Sequence, residues 1–147
     1  MMPELSPTLR EFRDNEELLR RAYLDRQGYP RVLPVWFVTI DGDYYVGTGI
    51  TSAKWKAMQR DARVGWVIDG GTQGRYPAAV TAKGVSLRGH VEEVRDATRR
   101  ARVYDAMGQK YFGTTDDAKF IEILGRVDNV ETVYLRLLPE DGLTWEY

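Results

Sequence analysis

The chain has 147 residues, 43% of them hydrophobic, which is enough for one domain with a real core and short for two. A net charge of -1 from 21 basic and 22 acidic residues offers no long-range field for nucleic acid or an anionic membrane. With no cysteine there are no disulfides, thiolate nucleophiles or Cys-based zinc or iron-sulfur sites, and the lone His90 narrows metal chemistry further.

No apolar run approaches a membrane span, and M-M-P-E-L-S-P lacks the basic and apolar regions of a signal peptide. A cytoplasmic protein is therefore expected, with residues 1–147 as a single domain. Ser6-Pro7 is a helix start, Ser as N-cap and Pro in the first helical position. Leu9, Phe12, Leu18 and Leu19 give an apolar face to a helix over Thr8–Leu19. Arg20–Leu24 reads either as a short strand or as the continuing helix, and Asp25-Arg26-Gln27-Gly28 as a turn. Arg31–Ile40 is one β run, with Pro34 marking an edge or a bulge. Asp41-Gly42 predicts a hairpin into Asp43–Val46.

The next stretch organises the chain. Tyr44-Tyr45-Val46 runs into Gly47-Thr48-Gly49, and a helix over Ser52–Arg60 follows. Gly47 and Gly49 are expected to take positive φ and turn N–H groups inward, while Thr48, Thr51 and Ser52 add hydroxyls and Lys54 an ammonium in the first turn. Such a corner suits an anion, and a phosphate-bearing ligand is the leading expectation. A plain capped helix also explains Ser52, but not a cation at the positive end of the helix dipole. Neither G-x-x-x-x-G-K-[ST] nor a helix-opening G-x-G-x-x-G is present.

Val64–Ile68 reads as a strand, Asp69–Gly74 as a loop with the potential to act as a lid, and Ala78–Val94 as a long β stretch interrupted at Gly84 and Gly89. A basic amphipathic helix over Asp96–Gln109 would turn Ala97, Ala101, Tyr104 and Met107 inward, leaving Arg99, Arg100 and Arg102 as a wet face or, less simply, a second anion site. A shorter helix covers Asp116–Leu124. Val130–Leu138 is the last strand, followed by a break at Pro139–Gly142 and the tail Leu143–Tyr147. About six β runs with short helices early and late describe a small antiparallel barrel.

The order of these parts resembles the pyridoxamine 5'-phosphate oxidase-like split-barrel flavoproteins. The resemblance rests on G-Y-P-R-V-L-P-V-W-F from Gly28, D-G-D-Y-Y-V-G-T from Asp41, S-A-K-W-K-A-M-Q-R-D-A-R-V-G from Ser52, L-R-G-H-V-E from Leu87 and the closing Y-L-R-L-L-P-E-D-G-L-T-W-E-Y. It implies a mainly β, six-stranded antiparallel Greek-key split barrel with peripheral helices. It also implies a homodimer with FMN, or alternatively the deazaflavin coenzyme F-420, between the subunits. The family's phosphate-holding positions fall on Arg31, Thr48, Ser52 and Lys54, so that Arg31 and Lys54 would converge on the cofactor tail. Val32 and Leu33 would follow the edge of the ring system, and Trp55 and Trp145 are possible cofactor contacts. Lys54 is preferred to Lys56, which helical geometry sends to another face.

Ala53 stands where the oxidase proper has Arg, and its C-terminal R-x-H is absent, so oxidation of pyridoxamine phosphate itself is not expected. R-R-A-Y-L in place of an apolar first strand suggests a shortened or displaced element. His90 reads as a barrel-wall histidine before a haem ligand, and Tyr45, His90 or solvent could supply a proton. The expected function is a flavin-type oxidoreductase acting on a small organic substrate, with a non-enzymatic flavin or haem storage protein as the alternative.

Overall fold

The computed structural model describes residues 1–70 and 82–147. Its elements are α1 (Pro7–Asn15), β1 (Leu19–Leu24), β2 (Pro30–Val35), β3 (Phe37–Ile40), β4 (Asp43–Gly49), α2 (Ala53–Arg60), β5 (Arg63–Gly70), β6 (Lys83–Glu93), α3 (Ala97–Phe112), α4 (Ala118–Leu124) and β7 (Thr132–Glu146). Among the described residues one antiparallel sheet has the order β2-β1-β5-β6-β7-β4-β3. It has seven strands rather than the expected six, because the predicted run Arg31–Ile40 divides at Trp36. β2 and β3 lie at opposite edges of the sheet with one residue between them, so the sheet must curl until its edges meet, giving a split barrel.

That division also explains the prolines. β2 pairs only with β1, and in a strand of period two Pro30 and Pro34 leave their missing N–H groups on the same side, which can be the unpaired edge. The crossing at Trp36 is pinned by α3. Trp36 stacks on Tyr111 with ring centroids 4.6 Å apart, and the Tyr111 hydroxyl accepts from Phe37 N at 2.9 Å. Lys110 Nζ donates to Phe37 O at 3.0 Å and lies 3.5 Å from the Phe37 ring centroid.

Burial at this crossing lowers the Lys110 pKa to about 8 from an ordinary 10.5. The unfolded chain therefore binds the Lys110 proton more tightly. The burden on stability is full below pH 8 and is relieved as the pH rises to 10.5. Chemical denaturation of Lys110→Met and wild type across that range should show the variant's relative stability falling as pH rises; a constant difference would contradict the assignment.

Alternation along the strands separates two cores. Tyr44 and Val46 of β4 with Val133, Leu135 and Leu137 of β7 point into the barrel beside Leu19, Phe37 and Trp66. Tyr45 and Tyr134 point the other way, under Val103 and Met107 of α3 and Phe120 of α4. α1 reaches the barrel interior through Leu9 and Phe12. It ends earlier than expected, since Leu19 belongs to β1: pairing with β2 on one side and β5 on the other outweighs a helical continuation. R-R-A-Y-L thus lies in a six-residue strand paired on both sides.

Other boundaries also move. β7 runs through Pro139–Gly142 instead of breaking there. Beyond Leu137 it pairs only with β6, and a register shift at Arg88/Gly89 accommodates Pro139. Ser6 and Ser52 cap their helices as expected, Asp96 caps α3 instead of forming its first residue, and Asp41 and Gly42 (φ 53° and 84°) form the hairpin turn. In α3, Val103 and Gly108 are buried with Tyr104 and Met107, whereas Ala97 is exposed. Residues 71–74 of the expected loop, and 78–81 of the expected long strand, lie outside the described residues. No helix among the described residues is long and apolar enough to cross a membrane.

Candidate anion and cofactor site

The corner between β4 and α2 forms differently from its sequence expectation. Gly47 and Gly49 are ordinary strand residues without positive φ. A Cβ at Gly47 would meet the Tyr134 ring across the ladder at 3.4 Å, an ordinary contact distance, so neither backbone conformation nor space demands glycine there. β4 holds its pairing to the end, with Ile50 N donating to Glu131 O at 2.8 Å, and Ser52 N then donates to Gly49 O at 3.1 Å. Ser52 Oγ accepts from Trp55 N at 3.1 Å and shares a hydrogen bond with Thr48 Oγ1 at 3.2 Å. The N–H groups of Ala53 and Lys54, first in the helix, have no acceptor within it and stand at its positive end. Thr48 and Lys54 line a hollow of about 850 Å³ whose far wall is the end of α4, from Ile121 to Gly125.

The electrostatics of this corner are one-sided. Burial, and then the nearby charge of Arg21, hold the Lys54 pKa below its ordinary value. Arg21 is 0% exposed, and its Nε, Nη1 and Nη2 have no hydrogen-bond partner among the described residues. Its neighbours across the sheet are Leu33 in β2 and Trp66 in β5, whose indole Nε1 is likewise unpartnered. Burial pushes the Arg21 pKa down to about 10. A guanidinium enclosed without acceptors costs on the order of several kcal/mol. Arg21 was visible in the sequence as the middle of the alternating triplet Leu19, Arg21, Tyr23, yet R-R-A-Y-L reads first as an element pushed out of the core.

The remaining expected residues are distributed around α2. Arg31, Val32 and Leu33 line a second hollow, of about 790 Å³, together with Ala53, Lys56 and Arg60. Within the single chain, Arg31 therefore shares a space with Lys56, while Lys54 opens onto the hollow with Thr48; the expected convergence of Arg31 and Lys54 is not seen there. Arg31 Nε donates to Asp25 Oδ2 at 3.0 Å in an exposed pair. Such a pair holds its partner weakly. Val32 is 63% exposed on the open edge. Trp55 is 7% exposed and packs in the barrel interior. Trp145 is half-buried over Gly84, where a Cβ would come within 1.9 Å of its ring.

His90 Nδ1 is 2.7 Å from Glu140 Oε1 on the barrel wall. The arginines of α3 are more than a wet face: Arg99 donates to the Tyr45 hydroxyl, Arg100 to Asn129 O, and Arg102 pairs with Asp41 at 3.1 Å. Each ties the helix to its surroundings.

Thr48, Lys54 and the start of α2 offer a hydroxyl, N–H groups and a cation that fit the phosphate of a phosphorylated ring cofactor, in a hollow that Glu122 and Glu131 also line; Arg21 lies behind this wall, on the strand β1 against which α2 packs. Residues 5–145 match the family described as pyridoxamine 5'-phosphate oxidase. No curated protein matches the chain. Among solved structures it resembles the conserved hypothetical protein Rv2991 from Mycobacterium tuberculosis at 23% identity and TM-score 0.79, over 97% of this chain and 86% of that one. It also resembles HutZ, the heme storage protein from Vibrio cholerae, at 23% identity and TM-score 0.74, over 98% and 95%. An F420 reductase matches at 17% identity and TM-score 0.68, over 97% and 98%. At these identities the likeness establishes the fold.

Proposed function

Because this chain belongs to the pyridoxamine 5'-phosphate oxidase family of split-barrel proteins, we propose that it is an oxidoreductase using FMN, or alternatively a deazaflavin, bound where two copies of the chain meet. The observation that carries this reading is the corner where Thr48 and Lys54 line one hollow at the Ser52-capped start of α2. Lys54 binds the phosphate by a charge-assisted hydrogen bond, and Thr48 and the N–H groups of Ala53 and Lys54 complete its cradle. Ser52, committed to capping α2, keeps those N–H groups aimed. β2 carries Arg31, Val32 and Leu33 along an edge strand, and with Pro30 and Pro34 turned to the open side the backbone N–H and C=O of Val32 are the groups left to meet the ring. Arg31, only weakly held by Asp25, is available to join the phosphate or the second subunit.

When bound, the cofactor supplies two-electron chemistry, and the chain's part is to bind it, orient it and shield one face of the ring. That division accounts for a site without a nucleophile or a metal-binding set. Ala53 opens onto the Arg31 hollow without the Arg of the oxidase proper, which supports a substrate other than pyridoxamine phosphate. The test is turnover: purified protein loaded with FMN should be reduced by NADPH or a reduced deazaflavin and reoxidised by an added organic acceptor. A bound flavin inert to every donor would favour storage instead.

A further inference from the structure

We propose that Arg21 is the second cation of the anion site, its buried charge giving the Thr48-Ser52-Lys54 corner a preference for a doubly charged phosphomonoester over a singly charged phosphodiester. The inference rests on the cofactor reading above and deepens it, since it selects FMN among the cofactors that reading allows. Arg21 has 0% exposure and three nitrogens unpartnered among the described residues. Its cross-strand neighbours, Leu33 and Trp66, bring no acceptor. Residues 71–81 contain no carboxylate to neutralise it.

What lies close is Lys54, whose pKa the Arg21 charge helps to depress, and α2 packs on β1, the strand that carries Arg21. Glu122 and Glu131 line the same hollow, but the charge that acts on Lys54 is that of Arg21; two such like charges are mutually unfavourable, and a ligand bringing two negative charges relieves both. No direct contact is needed, because a charge a few ångströms away acts strongly through a low-dielectric interior. A monoester dianion matches the pair; a diester leaves one cation uncompensated.

The experiment titrates wild type and Arg21→Leu with FMN, riboflavin and riboflavin 4',5'-cyclic phosphate, the same ring with a monoester, no phosphate and a diester. Wild type should prefer FMN to the cyclic diester by at least about tenfold. Arg21→Leu should lower that ratio at least about fivefold, leave riboflavin within about twofold, and melt no lower than wild type. An unchanged ratio in a well-folded Arg21→Leu overturns the proposal. If that variant does not fold, Arg21→Met takes its place, and Arg21→Lys, which keeps the charge, should keep the preference. Should wild type bind no flavin, the cofactor reading falls on its own. Inorganic phosphate, followed through the Lys54 side-chain NMR resonance, then decides: weaker phosphate binding in the leucine or methionine variant supports the role of Arg21, and equal binding removes it.

Discussion

Lys54→Ala is expected to weaken FMN binding by about 1.5–3 kcal/mol, roughly 10- to 150-fold, the range for a charge-assisted hydrogen bond. The size of the effect follows from the setting. Lys54 is half-buried beside the first turn of α2, its charge is disfavoured by burial and by Arg21, and a phosphate is the group that would reward keeping it. Lys56→Ala is the matched control, because Lys56 lines the other hollow with Arg31. Fluorescence titration of both variants separates the two spaces. A large loss in Lys54→Ala with Lys56→Ala near wild type places the phosphate at the Thr48 corner; the reverse pattern would move it to the Arg31 side.

Gly89→Ala is expected to destabilise the fold by about 3 kcal/mol or more, a drop in melting temperature of roughly 6–12 °C for a chain of this size. A Cβ at Gly89 would stand 1.9 Å from Leu138 O and 2.8 Å from Leu138 C, both backbone atoms that no rotamer change can move. The position lies at the register shift between β6 and β7, where Pro139 enters the ladder. Gly113→Ala is a useful contrast. Gly113 caps α3 with φ 71° but has nothing within 4 Å of an added Cβ, so its cost should be limited to the strained backbone. Equal melting temperatures for Gly89→Ala and wild type would mean that the bulge is not as tight as drawn.

Local chemistry was the part of this protein most readable in its sequence. Ser6, Ser52 and Asp96 announce helix starts because a side-chain oxygen satisfies a nearby N–H, and Asp41-Gly42 announces a hairpin because both residues tolerate positive φ. What the sequence hid was decided by distant partners. Trp36 looks like the middle of one strand, and only the pairing of its two flanks with β1 and β4, at opposite edges of the sheet, reveals the crossing. Pro139 looks like a terminator until β7 is seen to have a single neighbour there.

The site divides along the same line. The grouping of Thr48, Ser52 and Lys54 is a local matter of strand end, cap and first turn. The glycines beside them take no positive φ, because β4 keeps its pairing with β7 through Gly49 instead of turning early. Whether Arg31 and Lys54 share a space depends on how β2 lies against α2, which no spacing in the sequence encodes. Arg21 is the instructive omission. A second arginine in a short charged run suggests the surface, and only its pairing between β2 and β5 shows the guanidinium enclosed.

The most direct measurement is a crystal structure of the protein grown with FMN. The phosphate should lie within hydrogen-bond distance of Lys54 Nζ and Thr48 Oγ1, at the start of α2, with the ring running toward Val32 and Leu33 and a second subunit closing over it. A phosphate seated among Lys56, Arg60 and Arg26, with Lys54 untouched, would contradict the account.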